Sequence, residues 1–153
     1  MSNHRPTRRS SRFVIILIAG CFVSLSSAHG QTPKEDYALQ ERCGKRAEEI
    51  FKGDWGGGIS STADTFTIAR YTNHYNKKLN RCFYLLSSTT ITTKGDNKSK
   101  VIQEALYDIN ENKEYGSLTK EDADRLPFSC NMQGIDCRSK QEWDYLIKPF
   151  MTE

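Results

Sequence analysis

The sequence predicts an α+β domain. Its antiparallel sheet of about four strands is a meander and is flanked by an N-terminal and a C-terminal helix. Apolar residues recur at helical spacing around residues 39–51 and 143–150, whereas the stretch between them alternates apolar and polar residues between short polar turns. An even number of cysteines in the same region adds two disulfide bonds to the predicted fold.

Residues 1–30 have the three parts of a signal peptide. A start with four arginines and no acidic residue precedes an apolar run over residues 13–25, and small residues surround Ala28 and Gly30. The run is shorter than the ~20 apolar residues that a membrane-spanning helix needs. We therefore predict that residues 31–153 form a single exported domain, which is periplasmic or secreted.

A lipid anchor is the alternative to a freely diffusing exported protein. Residues 18–21, which end at Cys21, resemble a bacterial lipobox, the site at which a cysteine is lipidated before cleavage. Apolar residues continue beyond Cys21, where lipoproteins usually turn polar. Ordinary cleavage near residue 28 or 30 is favoured, and we expect membrane attachment only if Cys21 is lipidated.

The net charge of the predicted mature chain excludes one class of partner. Removal of the four arginines in residues 1–30 leaves 18 basic and 19 acidic residues, so the exported domain is close to neutral. Nucleic-acid binding depends on a basic surface that neutralises phosphates. We therefore expect no nucleic-acid partner.

The first helix is predicted to begin at Pro33 and to end near Gly53. Thr32 and Glu35 have the spacing of a capping box, and proline suits the first helical turn. The inward stripe of this helix is predicted to contain Leu39, Cys43, Ala47, Ile50 and Phe51. Residues 54–63, with three consecutive glycines after Trp55, are predicted to be a surface connection. No Lys-Ser/Thr pair follows the glycines, which argues against a phosphate-binding loop.

Four strands are predicted in the middle of the chain. They cover residues 65–75, 81–93 and 100–109, with a short fourth strand near Tyr115. The second strand places Cys82, Tyr84 and Leu86 on one face and Phe83, Leu85 and Ile91 on the other. Polar turns separate these strands and fix their antiparallel order.

The end of the chain is predicted to be mainly helical. Residues 119–122 open one helical turn that stops before Pro127, and a loop bounded by two cysteines follows. Ser139 and Glu142 form a second capping box, which starts the final helix. One side of that helix carries Trp143, Leu146, Ile147 and Phe150, and Pro149 lies near its end.

Two disulfide bonds are expected because the four cysteines that remain after processing lie in an exported chain. Four cysteines allow three connectivities. We predict Cys43–Cys82, which ties the first helix to the longest strand, and Cys130–Cys137, which closes a short loop. The spacing of Cys130 and Cys137 is wider than that of a usual zinc pair, and there is no Cys-x-x-Cys. We expect no metal ion and no cofactor.

The turn between the first two strands is the candidate binding patch. It concentrates basic and aromatic residues in a nearly neutral chain, and such a surface suits an acidic partner. The patch consists of Tyr71, His74, Tyr75, Lys77, Lys78 and Arg81. The alternative is a solvated hairpin edge, whose charges prevent aggregation between sheets.

Residues 73–83, with the sequence NHYNKKLNRCF, resemble a group of small exported proteins of Gram-negative bacteria. The resemblance extends to the cysteine-containing first helix and the acidic, aromatic last helix. It implies an exported bacterial domain and transfers no activity, cofactor or catalytic residue.

The predicted function is non-catalytic binding of a periplasmic or envelope partner, and no catalytic residue is assigned. One alternative is a small hydrolase that uses His74 with a nearby carboxylate, Asp64 or Asp108. Another is a structural envelope protein, which would show no localised charged or aromatic patch.

Overall fold

Residues 32–121 and 129–152 are described in the structure, which is a computed structural model. The predicted signal peptide, Cys21 and the stretch around Pro127 lie outside these residues. The chain order is α1 (Pro33–Trp55), β1 (Ile59–Ser61), β2 (Thr65–Asn76), β3 (Arg81–Lys94), β4 (Asn97–Asp108), β5 (Lys113–Glu121), β6 (Ser129–Met132), β7 (Ile135–Asp136) and α2 (Lys140–Met151). In these two ranges, no helix is both long and apolar enough to cross a membrane.

The α+β class and the antiparallel sheet between two helices are confirmed, but the predicted number of strands is wrong. The described sheet has seven strands in the sequential order β1 to β7, and every neighbouring pair is antiparallel. The three strands that the prediction missed, β1, β6 and β7, have three, four and two residues. They are too short to show a period of two, and β1 and β7 form the edges of the sheet.

Two predictions at the ends of elements are also wrong. The expected helical turn at residues 119–121 is the end of β5, where Glu121 is paired with Val101 and Thr119 with Gln103. The long β4 offers these residues a complete ladder of backbone hydrogen bonds, which outweighs their local preference for a turn. Helix α1 passes through Gly53 and ends at Trp55, where the Gly56 amide donates to the Lys52 carbonyl at 3.1 Å.

Both faces of the sheet carry a helix. Alternate residues of β3 divide between two cores, as predicted, because side chains of a strand point to opposite faces. The α1 core contains Cys43, Ala47, Tyr75, Cys82, Tyr84 and Ile109, and the α2 core contains Phe83, Leu106, Leu118, Cys130, Met132, Cys137, Trp143 and Ile147. The predicted pairing is confirmed, since disulfide bonds join Cys43 to Cys82 in the first core and Cys130 to Cys137 in the second.

Candidate functional site

Of the two tyrosines in the predicted binding patch, Tyr75 lies in the α1 core and Tyr71 packs against that core. The Tyr71 ring packs between Phe51 and Tyr84, with ring centroids 4.7 Å and 5.4 Å away. Tyr75 is buried, and its hydroxyl donates to the Asn80 Oδ1 at 2.6 Å. The aromatic half of the patch therefore supports α1 and does not form a continuous exposed surface with the basic residues.

Arg81 is held by acidic residues of the β4–β5 turn. Its guanidinium pairs with the buried Asp108 carboxylate, and its Nη1 lies 2.6 Å from the Glu111 Oε2. The Asp108 Oδ1 also accepts the backbone amides of Asn110 and Glu111, at 3.0 Å and 3.3 Å. Hydrogen bonds to Glu111 and Asp108 raise the pKa of Arg81 above its ordinary value. Arg81 therefore fixes the turn.

The two lysines of the patch differ in their surroundings. The Lys77 Nζ lies 3.0 Å from the Asp36 Oδ2 at the start of α1. Lys78 is exposed and faces a groove beside α2. Of the six residues in the predicted patch, Lys78 is the one that the structure places on the wall of this groove.

His74 does not form the pair that a hydrolase would need. Its Nε2 is buried and has no hydrogen-bond partner among the described residues. Asp64 lies ten residues before His74 and precedes the start of β2. Ten residues of extended strand span roughly 33 Å. Asp108 lies two strands away across Phe83, and its carboxylate is already engaged by Arg81. The structure does not bring these groups together.

Asn76, which the sequence analysis did not select, joins the β2–β3 turn to the end of α2. Its Nδ2 donates to the Pro149 carbonyl at 2.9 Å and lies 3.4 Å from the Phe150 and Thr152 carbonyls. Its Oδ1 accepts the Leu79 amide at 3.0 Å. A turn asparagine gives no signal in the sequence that its partners lie more than seventy residues away.

Replacement of Asn76 by alanine is expected to lower the free energy of unfolding by about 1–3 kcal/mol, because the variant loses several hydrogen bonds of a buried side chain to partly buried partners. The reason is that one side chain satisfies both the end of α2 and the Leu79 amide. Urea denaturation of the two proteins measures the difference. The exposed Asn97, the first residue of β4, provides the control, since its replacement by alanine should change stability by less than about 0.5 kcal/mol.

A groove lies between the β2–β3 turn and the C-terminal half of α2. It has a volume of about 630 Å³, and its walls consist of Asn76, Lys78, Leu79, Tyr145, Leu146, Lys148, Pro149, Phe150 and Thr152. Leu79 and Tyr145 are 45% and 76% exposed, unusually open for large apolar side chains. The described walls contain two lysines and no acidic residue, so the groove suits an anionic group attached to an apolar one.

A smaller cavity lies on the opposite face of the sheet, under the end of α1. It has a volume of about 220 Å³ and is lined by Ile50, Asp54, Trp55, Tyr84, Leu86, Tyr107, Ile109 and Asn112. Tyr84 is 3% exposed, and its hydroxyl has no hydrogen-bond partner in the described part of the chain. Burial, followed by the charge of Asp54, raises the pKa of Tyr84 to about 12. Residues of three elements form this cavity, so the sequence alone did not indicate it.

The raised pKa of Tyr84 predicts a loss of stability in alkali. An unfolded tyrosine ionises near pH 10, so the folded state disfavours the phenolate of Tyr84 relative to the unfolded state. The stabilisation is fully present below about pH 10 and is lost as the pH rises towards 12. Denaturation at a series of alkaline pH values should show this loss in the parent protein and less of it in Tyr84→Phe. The same change at the exposed Tyr145 should leave the alkaline profile unaltered.

Within residues 32–121 and 129–152, no group of three or more histidine, cysteine or acidic side chains is placed to hold a metal ion. No protein-family model matches the chain, and no curated protein or solved structure matches it.

Proposed function

We propose that this protein is a non-catalytic exported binding domain, which holds an acidic and apolar segment of a periplasmic or envelope protein in the groove beside α2. One observation carries the proposal: exposed apolar side chains and two lysines line the groove, and no described wall residue is acidic. The two disulfide bonds support an oxidising location, because such bonds rarely persist in a reducing cytosol.

The charges of the groove favour an anionic partner in spite of its position at the end of a helix. The C-terminus of a helix carries a partial negative charge, because its last carbonyl groups have no partner within the helix. Here the Asn76 side chain donates to the Pro149 carbonyl, and the Thr152 amide and hydroxyl donate to the Lys148 carbonyl at 3.0 Å and 2.8 Å. The Pro149 and Lys148 carbonyls therefore have partners, and Lys78 and Lys148 are the charged residues of the described walls.

The floor of the groove is packed against neighbouring rings. Phe150 meets the rings of Phe83 and Tyr115 edge to face, with centroids 5.3 Å and 5.4 Å away. Asn76 fixes the opposite wall through its bonds to both the turn and α2. A preformed site loses less conformational entropy on binding than a mobile one. Tyrosine, the residue at position 145, is one of the three residue types enriched among those that dominate binding energy.

The test is capture from an envelope extract at low salt, with residues 31–153 immobilised. A double variant, Lys78→Glu with Lys148→Glu, reverses the charge of the groove. Its matched control is Lys94→Glu with Lys98→Glu, which causes the same change in net charge. Both lysines are exposed and lie beside the β3–β4 turn, at the end of β3 that is far from the groove. A Tyr145→Ala variant removes an exposed aromatic side chain from the wall of the groove without altering its charge.

We expect a protein of the extract to bind to the immobilised parent and to the control variant. The same protein should not bind to the groove variant or to Tyr145→Ala. Its retention should fall as salt rises from low to physiological concentration, because exposed charges are screened. Circular dichroism establishes that each variant is folded. Equal retention by all four proteins, or no retention by the parent, would remove the groove as the binding site.

A further inference from the structure

The cavity under the end of α1 has the composition of a cation-binding site. Three aromatic residues from three different elements line it, namely Trp55, Tyr84 and Tyr107. The rings of the two tyrosines are 6.4 Å apart between centroids and inclined by 48°. The face of an aromatic ring attracts a cation within about 6 Å of its centre, and tryptophan does so most strongly.

The charges around this cavity also favour a cation. Asp54 is the charged residue on its described wall, and neither lysine nor arginine lines it. The cavity also lies where α1 ends at Trp55, and the C-terminus of a helix favours positive charge. Burial is the main cause of the raised pKa values of Tyr84 and Tyr107, and the charge of Asp54 adds to both.

Tyr84 supplies the second, independent sign of a ligand. Its side chain is almost entirely buried in the wall of the cavity, yet its hydroxyl has no partner in the described part of the chain. Buried hydroxyl groups are hydrogen-bonded in the large majority of cases, and each exception needs an explanation. A ligand with a polar group beside its cation would provide that partner.

We propose that this cavity binds a small organic cation with a substituted ammonium group. Trp55 and Tyr107 contact the cation, Asp54 neutralises it, and the Tyr84 hydroxyl bonds to its polar substituent. The volume of about 220 Å³ accommodates one such group with a short polar substituent. A neutral sugar would also stack on aromatic rings and would donate hydrogen bonds to the carboxylate, but it carries no positive charge for the rings, Asp54 and the helix end to attract. This site is separate from the groove beside α2, which lies on the other face of the sheet.

The experiment compares two probes of nearly the same shape. Choline carries a trimethylammonium group, and 3,3-dimethylbutan-1-ol replaces that group with an uncharged tert-butyl group. Calorimetry should detect choline binding, with the neutral probe at least about tenfold weaker, because it lacks the cation–π attraction. Choline should also change the tryptophan fluorescence, since Trp55 is one of two tryptophans and the other, Trp143, is fully buried.

Variants test the assigned residues. Trp55→Ala should abolish measurable choline binding. Asp54→Asn should weaken choline binding about fivefold, because it removes a single exposed charge interaction worth about 1 kcal/mol. Asp54 is exposed, so its replacement leaves the fold intact and keeps the test valid even if Trp55→Ala does not fold. The groove variant Lys78→Glu with Lys148→Glu should bind choline as the parent does, which separates this proposal from the proposed function.

Three results would each overturn the inference. The neutral probe binding as tightly as choline would show a merely apolar cavity. If the Asp54→Asn variant and the Trp55→Ala variant both bound choline as tightly as the parent, the cation would bind elsewhere. Failure of the parent protein to bind choline at millimolar concentration would exclude a site for this class of ligand.

Discussion

Replacement of both Cys43 and Cys82 by alanine is expected to lower the free energy of unfolding by about 4 kcal/mol. These residues are 39 positions apart, so their bond removes the entropy of a long loop from the unfolded chain. It also fastens α1 to the middle of the sheet, since both cysteines are buried in the same core. Urea denaturation of the oxidised parent and the double variant measures the loss.

The second disulfide bond provides the matched comparison. Cys130 and Cys137 are only seven positions apart, so the same replacement there should cost about 2.5 kcal/mol. Both bonds join buried cysteines, and the two variants each lose two sulfur atoms. An equal or larger loss for the short loop would contradict the argument from loop entropy and would point to local packing as the cause.

Replacement of Trp143 by alanine is expected to cost about 3–5 kcal/mol. Trp143 is fully buried in the α2 core, and its Nε1 donates to the Glu104 Oε2 at 2.7 Å. Glu104 is itself nearly buried, with the Lys140 Nζ 3.3 Å from its Oε1. The variant therefore loses a large apolar contact and one partner of a buried carboxylate. Thermal or urea denaturation gives the difference.

A smaller replacement at the same position separates these two contributions. Trp143→Phe keeps most of the ring volume but removes the indole N–H, and it should cost about 1–3 kcal/mol. The exposed Tyr145, on the same helix, should tolerate alanine with a change below about 0.5 kcal/mol. If phenylalanine at position 143 cost as much as alanine, the hydrogen bond to Glu104 would outweigh packing, contrary to this expectation.

Long periodic elements could be predicted from the sequence, whereas elements fixed by distant partners could not. The alternation in β3 predicted both of its faces, and the capping residues Thr32 and Ser139 located the starts of both helices. Strands β1, β6 and β7 have four residues or fewer, so they hold no recognisable period.

The candidate site was predictable only in part, for a similar reason. Alternation places Tyr71 and Tyr75 on one face of β2, but it does not reveal that α1 covers that face. The sequence does not reveal that Arg81 forms an ion pair, because its partner Asp108 is 27 residues away. Lys78 was identified as a candidate, although the groove that it faces is formed mainly by α2, which the sequence does not place beside the turn.

The shortness of the outermost strands has a consequence for how the protein behaves at high concentration. Long exposed edges of a sheet recruit strands from other molecules, the first step towards aggregates and fibres. Here the edges are strands of three and two residues, and part of the remaining edge of β2 is occupied by its own chain. The Ala69 amide donates to the Gly58 carbonyl at 2.6 Å, and the Tyr75 amide donates to the Gln40 Oε1 at 2.9 Å. These small additions shorten the open backbone edge through which the long, threonine-rich strands of one molecule could pair with those of another.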